Sequence, residues 1–301
     1  MSDDFLRGIY NIVPTPWRAD GSLDEPGIRQ LTDFVVGLGV HGMTILGVMG
    51  EGAKLSDDER ARSVAAFVAA ADGRIPICVG TSHDATERCI SFSRQAQALG
   101  AMAVMVAPPR LARPVNDPAV RKHYLSVAEA IDLPIVVQDH PTSVGVYMSV
   151  EFVAALAREA PRCRWLKLED EPSPPKVARA LAANPDLRVF GGLGGMMFLE
   201  EMKRGAVGTM TGFGFPEILV DIYNRYTTGD IDGATDVFFR YCPLIRFENQ
   251  PLINLAIRKV IYHWRGALNT TLVRAPSAGL DEGTLADLKD ILRRLKLLDV
   301  A

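Results

Sequence analysis

The sequence predicts an α/β chain folded as a (β/α)8 barrel with a C-terminal helical appendage. Three observations carry this. Short apolar runs alternate with longer amphipathic stretches through the first three-quarters of the chain, the runs number eight, and 301 residues leave a modest surplus over the roughly 250 that such a barrel occupies.

The expected strands are Gly8–Val13, Met43–Leu46, Ile75–Gly80, Ala103–Ala107, Ile135–Asp139, Arg164–Leu168, Arg188–Phe190 and Gly208–Thr211, each rich in β-branched or aliphatic residues. Helical patterns separate them. Ser56–Ala71 opens with Ser56 and Glu59 at capping-box spacing, and Pro118–Ile131 opens with a proline suited to a first helical turn. After Gly212 the strand signal stops, and Glu217–Thr228, Asp232–Ile245, Pro251–Trp264 and Glu282–Leu298 read as helices. Residues 1–216 therefore form the expected barrel core, and 217–301 the last barrel helix plus the appendage. An open doubly wound sheet shows the same alternation, but the G-x-G-x-x-G fingerprint is missing. The GGLGG run at Gly191–Gly195 either cradles an anionic group or makes a tight turn from strand to helix.

Composition narrows the partners. With 48% hydrophobic and 23% charged residues the chain can bury a full core unaided, and a net charge of −3 offers no basic surplus for a phosphate backbone. No nucleic-acid partner is expected. Cys78, Cys89, Cys163 and Cys242 are scattered without a C-x-x-C pair, which suits buried thiols in a reducing cytoplasm. The start MSDDFLRGIY is acidic where a signal peptide is basic, and no apolar run approaches the ~20 residues of a membrane span. Five histidines occur without H-x-H or H-x-x-x-H spacing, so neither metal nor other cofactor is expected.

The segment most suggestive of chemistry is CRWLKLED, Cys163–Asp170. Strand alternation puts Trp165, Lys167 and Glu169 on one face and Leu166 and Leu168 on the other. Turned into the barrel, Lys167 sits near the C-terminal end of a strand, where catalytic groups of this architecture collect, and desolvation would free its lone pair to attack a carbonyl. Turned outward, it is a rim lysine paired with Glu169.

Further segments bear on that choice: VPTPW at Val13–Trp17 followed by DGSLD, LGVMGEGAKLSDDER at Leu46–Arg60, VGTSHDAT at Val79–Thr86, LGAMAVMVAPPR at Leu99–Arg110, DLPIVVQDHP at Asp132–Pro141 and KRGAVGTMTG at Lys203–Gly212. In order and spacing the chain resembles the dihydrodipicolinate synthase and N-acetylneuraminate lyase family. The resemblance implies a barrel lyase in which Lys167 forms a Schiff base with a small-molecule 2-keto acid, assembled as a homo-oligomer, a dimer or tetramer.

Departures from the family pattern are informative. Where the synthases carry two successive threonines of a hydroxyl relay, this chain has Val48 and Met49; where most members have a proton-passing tyrosine it has Gln138; and Ser143 replaces an arginine that grips a second carboxylate. These replacements resemble the family's 2-keto-3-deoxy-pentonate (L-2-keto-3-deoxyarabonate) dehydratase branch, matched here by Thr81-Ser82-His83, Val137-Gln138-Asp139, Lys167-Leu168-Glu169, the stretch Gly208–Pro216 and Phe247-Glu248-Asn249. Gly50 stands where that branch has a serine. The expected catalytic set is Lys167, Glu169 and Gln138, with Glu169 as acid or base and Gln138 orienting substrate or water. Gly50, Glu51, His83, His140, Gly192 and Thr211 are the expected substrate-lining positions, although Glu51, His83 and His140 equally suit loop anchoring. Two other activities are open, a pyruvate-dependent aldolase or condensing enzyme, and a non-catalytic keto-acid-binding protein; Lys167 argues against the second.

Overall fold

A computed structural model describes residues 5–114 and 117–298. The acidic start that argues against a signal peptide lies largely outside them, in residues 1–4. Eight strands, β1 (Gly8–Ile12), β2 (Gly42–Ile45), β3 (Ile77–Gly80), β4 (Ala103–Val106), β5 (Ile135–Asp139), β6 (Trp165–Leu168), β7 (Arg188–Gly191) and β8 (Gly208–Thr211), pair in chain order. All are parallel, and β8 pairs with β1 to close the barrel. The predicted fold class is the observed one. Strand ends fall where prolines dictate. β1 stops before Pro14, β3 starts after Pro76 and β4 stops short of Pro108, because proline removes a ladder donor and restricts the residue before it.

The helices are α1 (Glu25–Gly37), α2 (Asp57–Ala71), α3 (Thr86–Ala98), α4 (Asp117–Ala130), the single turn α5 (Pro141–Val144), α6 (Val150–Glu159), α7 (Ser173–Ala183), α8 (Phe198–Met202), α9 (Pro216–Thr227), α10 (Ile231–Glu248), α11 (Asn254–Trp264) and α12 (Glu282–Arg294). Both bonds of the Ser56/Glu59 capping box form at the start of α2. Asp24, Ser149, Asp230 and Asp281 cap α1, α6, α10 and α12 in the same side-chain-to-backbone manner, each contributing about 1 kcal/mol. Two expected helices are shorter than predicted. Leu252 has φ 71° and Lys296 has φ 56°, left-handed values that no helix continues through, so α11 starts at Asn254 and α12 ends at Arg294. No helix among the described residues is long and apolar enough to cross a membrane.

Period-two alternation divides the apolar side chains into two cores. One face of each strand meets the helices, as Ile45, Val79, Val104, Val137, Leu166 and Val189 do. The other fills the barrel with Tyr10, Cys78, Met105, Val136, Trp165, Phe190 and Met210. The lumen is thus packed solid through its lower layers, and polar chemistry is confined to the C-terminal mouth. Helix α11 reaches that mouth from the C-terminal end of the chain: Asn11 Nδ2 donates to Tyr262 Oη at 2.6 Å, and Lys259 Nζ donates to Thr15 O at 2.9 Å.

Candidate active site

Register and alternation decide where Lys167 points. Trp165 faces the lumen and Leu166 and Leu168 face the helices, so Lys167 faces inward, with Gln138 of β5 directly beside it in the ladder. The lysine is only 2% exposed. Of the two orientations open from sequence, the inward one is observed, and the pairing with Glu169 occurs inside the barrel rather than on its rim.

Glu169 lies one step beyond the strand end, where its N–H still donates to Asp139 O at 2.8 Å. Its Oε2 is the focus of the site. Lys167 Nζ is 2.8 Å away, Gln138 Nε2 donates to it at 2.9 Å, and His140 Nδ1 stands at 3.8 Å. Burial pushes the Glu169 carboxyl up, but the charge and hydrogen bond of Lys167, the nearby His140 and the Gln138 amide outweigh burial and hold it below the usual carboxylate range. Glu169 is therefore ionised at neutral pH. Burial draws the His140 imidazole down despite the neighbouring carboxylate, which leaves it neutral. An amine in contact with a carboxylate can pass a proton to it, attack a carbonyl and later recover the proton.

Gly192 makes room for this carboxylate. A β-carbon there would lie 2.4 Å from Glu169 Cγ, closer than any packed side chain tolerates. Gly192→Ala should displace Glu169 and lower kcat by about 10²-fold while leaving the thermal midpoint nearly unchanged, since misplacing a catalytic group by about 1 Å has that scale of effect. Steady-state kinetics beside a melting curve checks this, and an unimpaired variant would show that the close fit is unimportant. The GGLGG run forms a tight turn, pinned where Gly194 N donates to Thr211 Oγ1 at 2.8 Å. Thr211 lies on the helix-facing side of β8, opposite Met210, so its expected place in the substrate lining is corrected to that of a loop clasp.

The loop after β2 owes its shape to Gly50, where a β-carbon would lie 2.5 Å from Leu46 N. It is fastened by Thr15 Oγ1, which donates to Gly50 O at 2.6 Å, and by Glu51. Both Glu51 oxygens are engaged, Oε1 by Trp17 Nε1 at 2.8 Å and Lys259 Nζ at 2.7 Å, Oε2 by Arg274 N at 2.9 Å. Glu51 borders the mouth, but its side chain anchors the loop; breaking such a buried pair costs about 3–5 kcal/mol.

A cavity of about 590 Å3 opens beside the site, bordered by Leu46, Val48, Met105, Gln138, His83 and Ser143. Gln138 is common to this cavity and to the Lys167–Glu169 pair. His83 is an exposed rim residue whose Nδ1 accepts from Ala85 N at 2.9 Å, and Ser82 Oγ accepts from Ala107 N at 2.8 Å, which ties the β3 and β4 loops together. No hydroxyl occupies the two positions after Gly47: Val48 is 63% exposed and Met49 packs in the lumen.

Arg258 and Asn249, contributed by the C-terminal helices, also reach the mouth, and sequence reasoning assigned neither a role. The available signal was the adjacent pair Arg258-Lys259 between the apolar residues Leu255–Ile257 and Val260–Ile261, since buried cations are rare without a partner.

This fold and mouth define a (β/α)8 barrel with a buried amine and carboxylate in contact at its C-terminal end. Residues 5–295 match the dihydrodipicolinate synthetase family, and the chain belongs to that family, as one of its lyases. It is 33% identical over 296 residues to an L-2-keto-3-deoxyarabonate dehydratase of Azospirillum brasilense, covering 96% of this chain and 94% of that one. It is 30% identical over 295 residues to a 4-hydroxy-tetrahydrodipicolinate synthase of Methanosphaerula palustris, covering 95% and 98%. Among solved structures, the dihydrodipicolinate synthase from Rhodopseudomonas palustris superposes with a TM-score of 0.91 at 32% identity, covering 96% of this chain and 98% of that one.

Proposed function

We propose that the chain dehydrates a 2-keto-3-deoxy sugar acid of the 2-keto-3-deoxy-pentonate type through an imine on Lys167. The observation that carries this is Glu169 Oε2, 2.8 Å from Lys167 Nζ and oriented by the amide of Gln138, a group that cannot titrate, where a phenol would serve carbon–carbon cleavage.

Glu169 takes the ammonium proton of Lys167, and the free amine adds to the C2 carbonyl. Expulsion of the former carbonyl oxygen as water, with that proton returned, leaves a cationic iminium and an ionised Glu169. The iminium acidifies C3. Glu169 removes a C3 proton to give the enamine, then passes it to the C4 hydroxyl, which departs as water while a C3–C4 double bond forms. Hydrolysis releases Lys167, and migration of the double bond toward C5 converts the terminal alcohol into an aldehyde. Atoms balance as the loss of one water, with no redox partner. A single carboxylate alternating between two protonation states suffices.

The aldolase route needs a group that deprotonates the C4 hydroxyl, and a condensing route needs the hydroxyl relay that Val48 and Met49 cannot supply. Mixing the enzyme with pyruvate and aspartate semialdehyde should therefore give no condensation above background. Robust turnover in that assay would restore the synthase reading, which the relatives of that name favour.

A further inference from the structure

Behind the site, on the helix-facing side of the wall that carries it, lies a buried ion cluster that the chemistry above does not use. The outward row of β5 runs Ile135, Val137 and Asp139, so a carboxylate ends an otherwise apolar face. Asp139 is fully buried, and its Oδ2 accepts from Lys176 Nζ at 2.6 Å. The same ammonium donates to Asp170 Oδ2 at 2.7 Å and to Met148 O at 3.0 Å. Burial pushes the Asp139 carboxyl up to about 6 although Lys176 draws it down, so its desolvation is incompletely offset. Lys176 is itself buried, 6% exposed, and it is the fourth residue of α7, near the helix end whose dipole disfavours a cation. Apolar side chains of similar volume are often as stable as a buried ion pair or more so. Stability alone therefore does not account for this cluster.

Its place in the chain does. Asp139 follows Gln138 and Asp170 follows Glu169, so Lys176 grips the chain neighbours of the two side chains that meet in the lumen at 2.9 Å. Asp139 O also accepts from Glu169 N at 2.8 Å. Glu169 lies one residue past the end of β6, where the regular ladder has stopped, and the next fixed element is α7. A carboxylate in that position needs support from outside its own strand. We propose that Lys176 is a positioning residue: by holding Asp139 and Asp170 together behind the wall, it fixes Glu169 Oε2 against Gln138 Nε2 and Lys167 Nζ. It exchanges no proton with the substrate. This role rests on the reading of Glu169 as the acid–base group and adds what keeps that group within reach of C3. Lys167 does not depend on the clamp, because it lies within β6 with Gln138 and Phe190 as ladder partners on either side.

The test separates imine formation from proton removal with one probe, pyruvate. Borohydride trapping counts the competent Lys167 sites and gives the pyruvate concentration that half-saturates the initial trapping rate. Exchange of the pyruvate methyl hydrogens in heavy water, above the uncatalysed rate, reads the second step, in which Glu169 removes a C3 proton from the iminium and returns a deuteron to the enamine. Expressed per trappable site, exchange by Lys176→Met should be about 10- to 100-fold slower than by wild type, the scale of a catalytic group displaced by about 1 Å, while half-saturation shifts less than about threefold. Asp170→Ala removes one arm and leaves Lys176 and Asp139 as a neutral pair. Its exchange should fall between the two, and it carries the test if the methionine variant does not fold. Exchange per site equal to wild type in both variants would overturn the proposal, as would a rise in half-saturation as large as the loss of exchange. Failure of wild type to exchange, or unimpaired exchange by Glu169→Gln, would overturn instead the acid–base reading beneath it, and failure of wild type to trap would overturn the Schiff base.

Discussion

Lys167→Ala should abolish turnover of 2-keto-3-deoxy-pentonate, a loss of more than about 10⁴-fold, because no other group at the mouth can make the covalent bond that activates C3. The variant should also acquire no mass on treatment with borohydride and pyruvate, while the wild-type chain gains one adduct located at this residue. The argument is geometric. Lys167 is the amine at the C-terminal end of β6, held inward by the register of β5 against β6 and by the packing of Trp165 below it. Two other lysines among the described residues lie near the mouth and neither can replace it: Lys259 is tied to Glu51, Thr15 O and Leu272 O, and Lys54 to Glu51 and Arg274 O. An adduct that persists in Lys167→Ala would mean that another residue is the nucleophile.

The second large effect is expected from Glu169→Gln. The amide keeps the volume but can neither accept the C3 proton nor return it to the leaving hydroxyl, so kcat should fall by about 10²–10⁴-fold. Trapping at Lys167 should survive, because imine formation draws on the amine itself and only its rate depends on the carboxylate. The variant therefore separates bonding from elimination. The pH profile follows the same residue. Since Lys167, His140 and Gln138 hold its carboxyl below the usual range, the ionised form is present above that depressed pKa, and kcat/KM should decline on the acid side only as pH falls through it. A glutamine variant with full activity, or one unable to form the adduct at all, would contradict this division of roles.

The barrel was legible because its signals are local and repeated. Eight short apolar runs, several of them bounded by prolines, determine strands, and period-two alternation in Trp165–Leu168 announced which side chains would share one face. Alternation put Lys167 and Glu169 on one strand face but left that face's direction open, and Gln138 entered the expected set only through the resemblance to the family. What was not legible depends on contacts between distant segments. Thr211 looked like a lumen residue until the hydrogen bond to Gly194 fixed it on the outer face. Glu51 borders the mouth, yet its role follows from Trp17, Lys259 and Arg274, which no spacing connects to it. Arg258 escaped notice for a related reason: it arrives on a C-terminal helix whose docking on the barrel mouth cannot be read from periodicity. The ionised state of Glu169, ambiguous in sequence, is decided by the balance of burial against three neighbouring groups.

Carbon–oxygen and carbon–carbon cleavage diverge at the C4 hydroxyl, which must be protonated for one and deprotonated for the other. The most direct measurement is therefore to incubate the purified protein with 2-keto-3-deoxy-pentonate and quantify the five-carbon semialdehyde and pyruvate separately in the same reaction. Dehydration by Glu169 beside an imine on Lys167 predicts the semialdehyde as the main product with little pyruvate. Pyruvate as the main product would contradict the proposed reaction and the role given to Glu169.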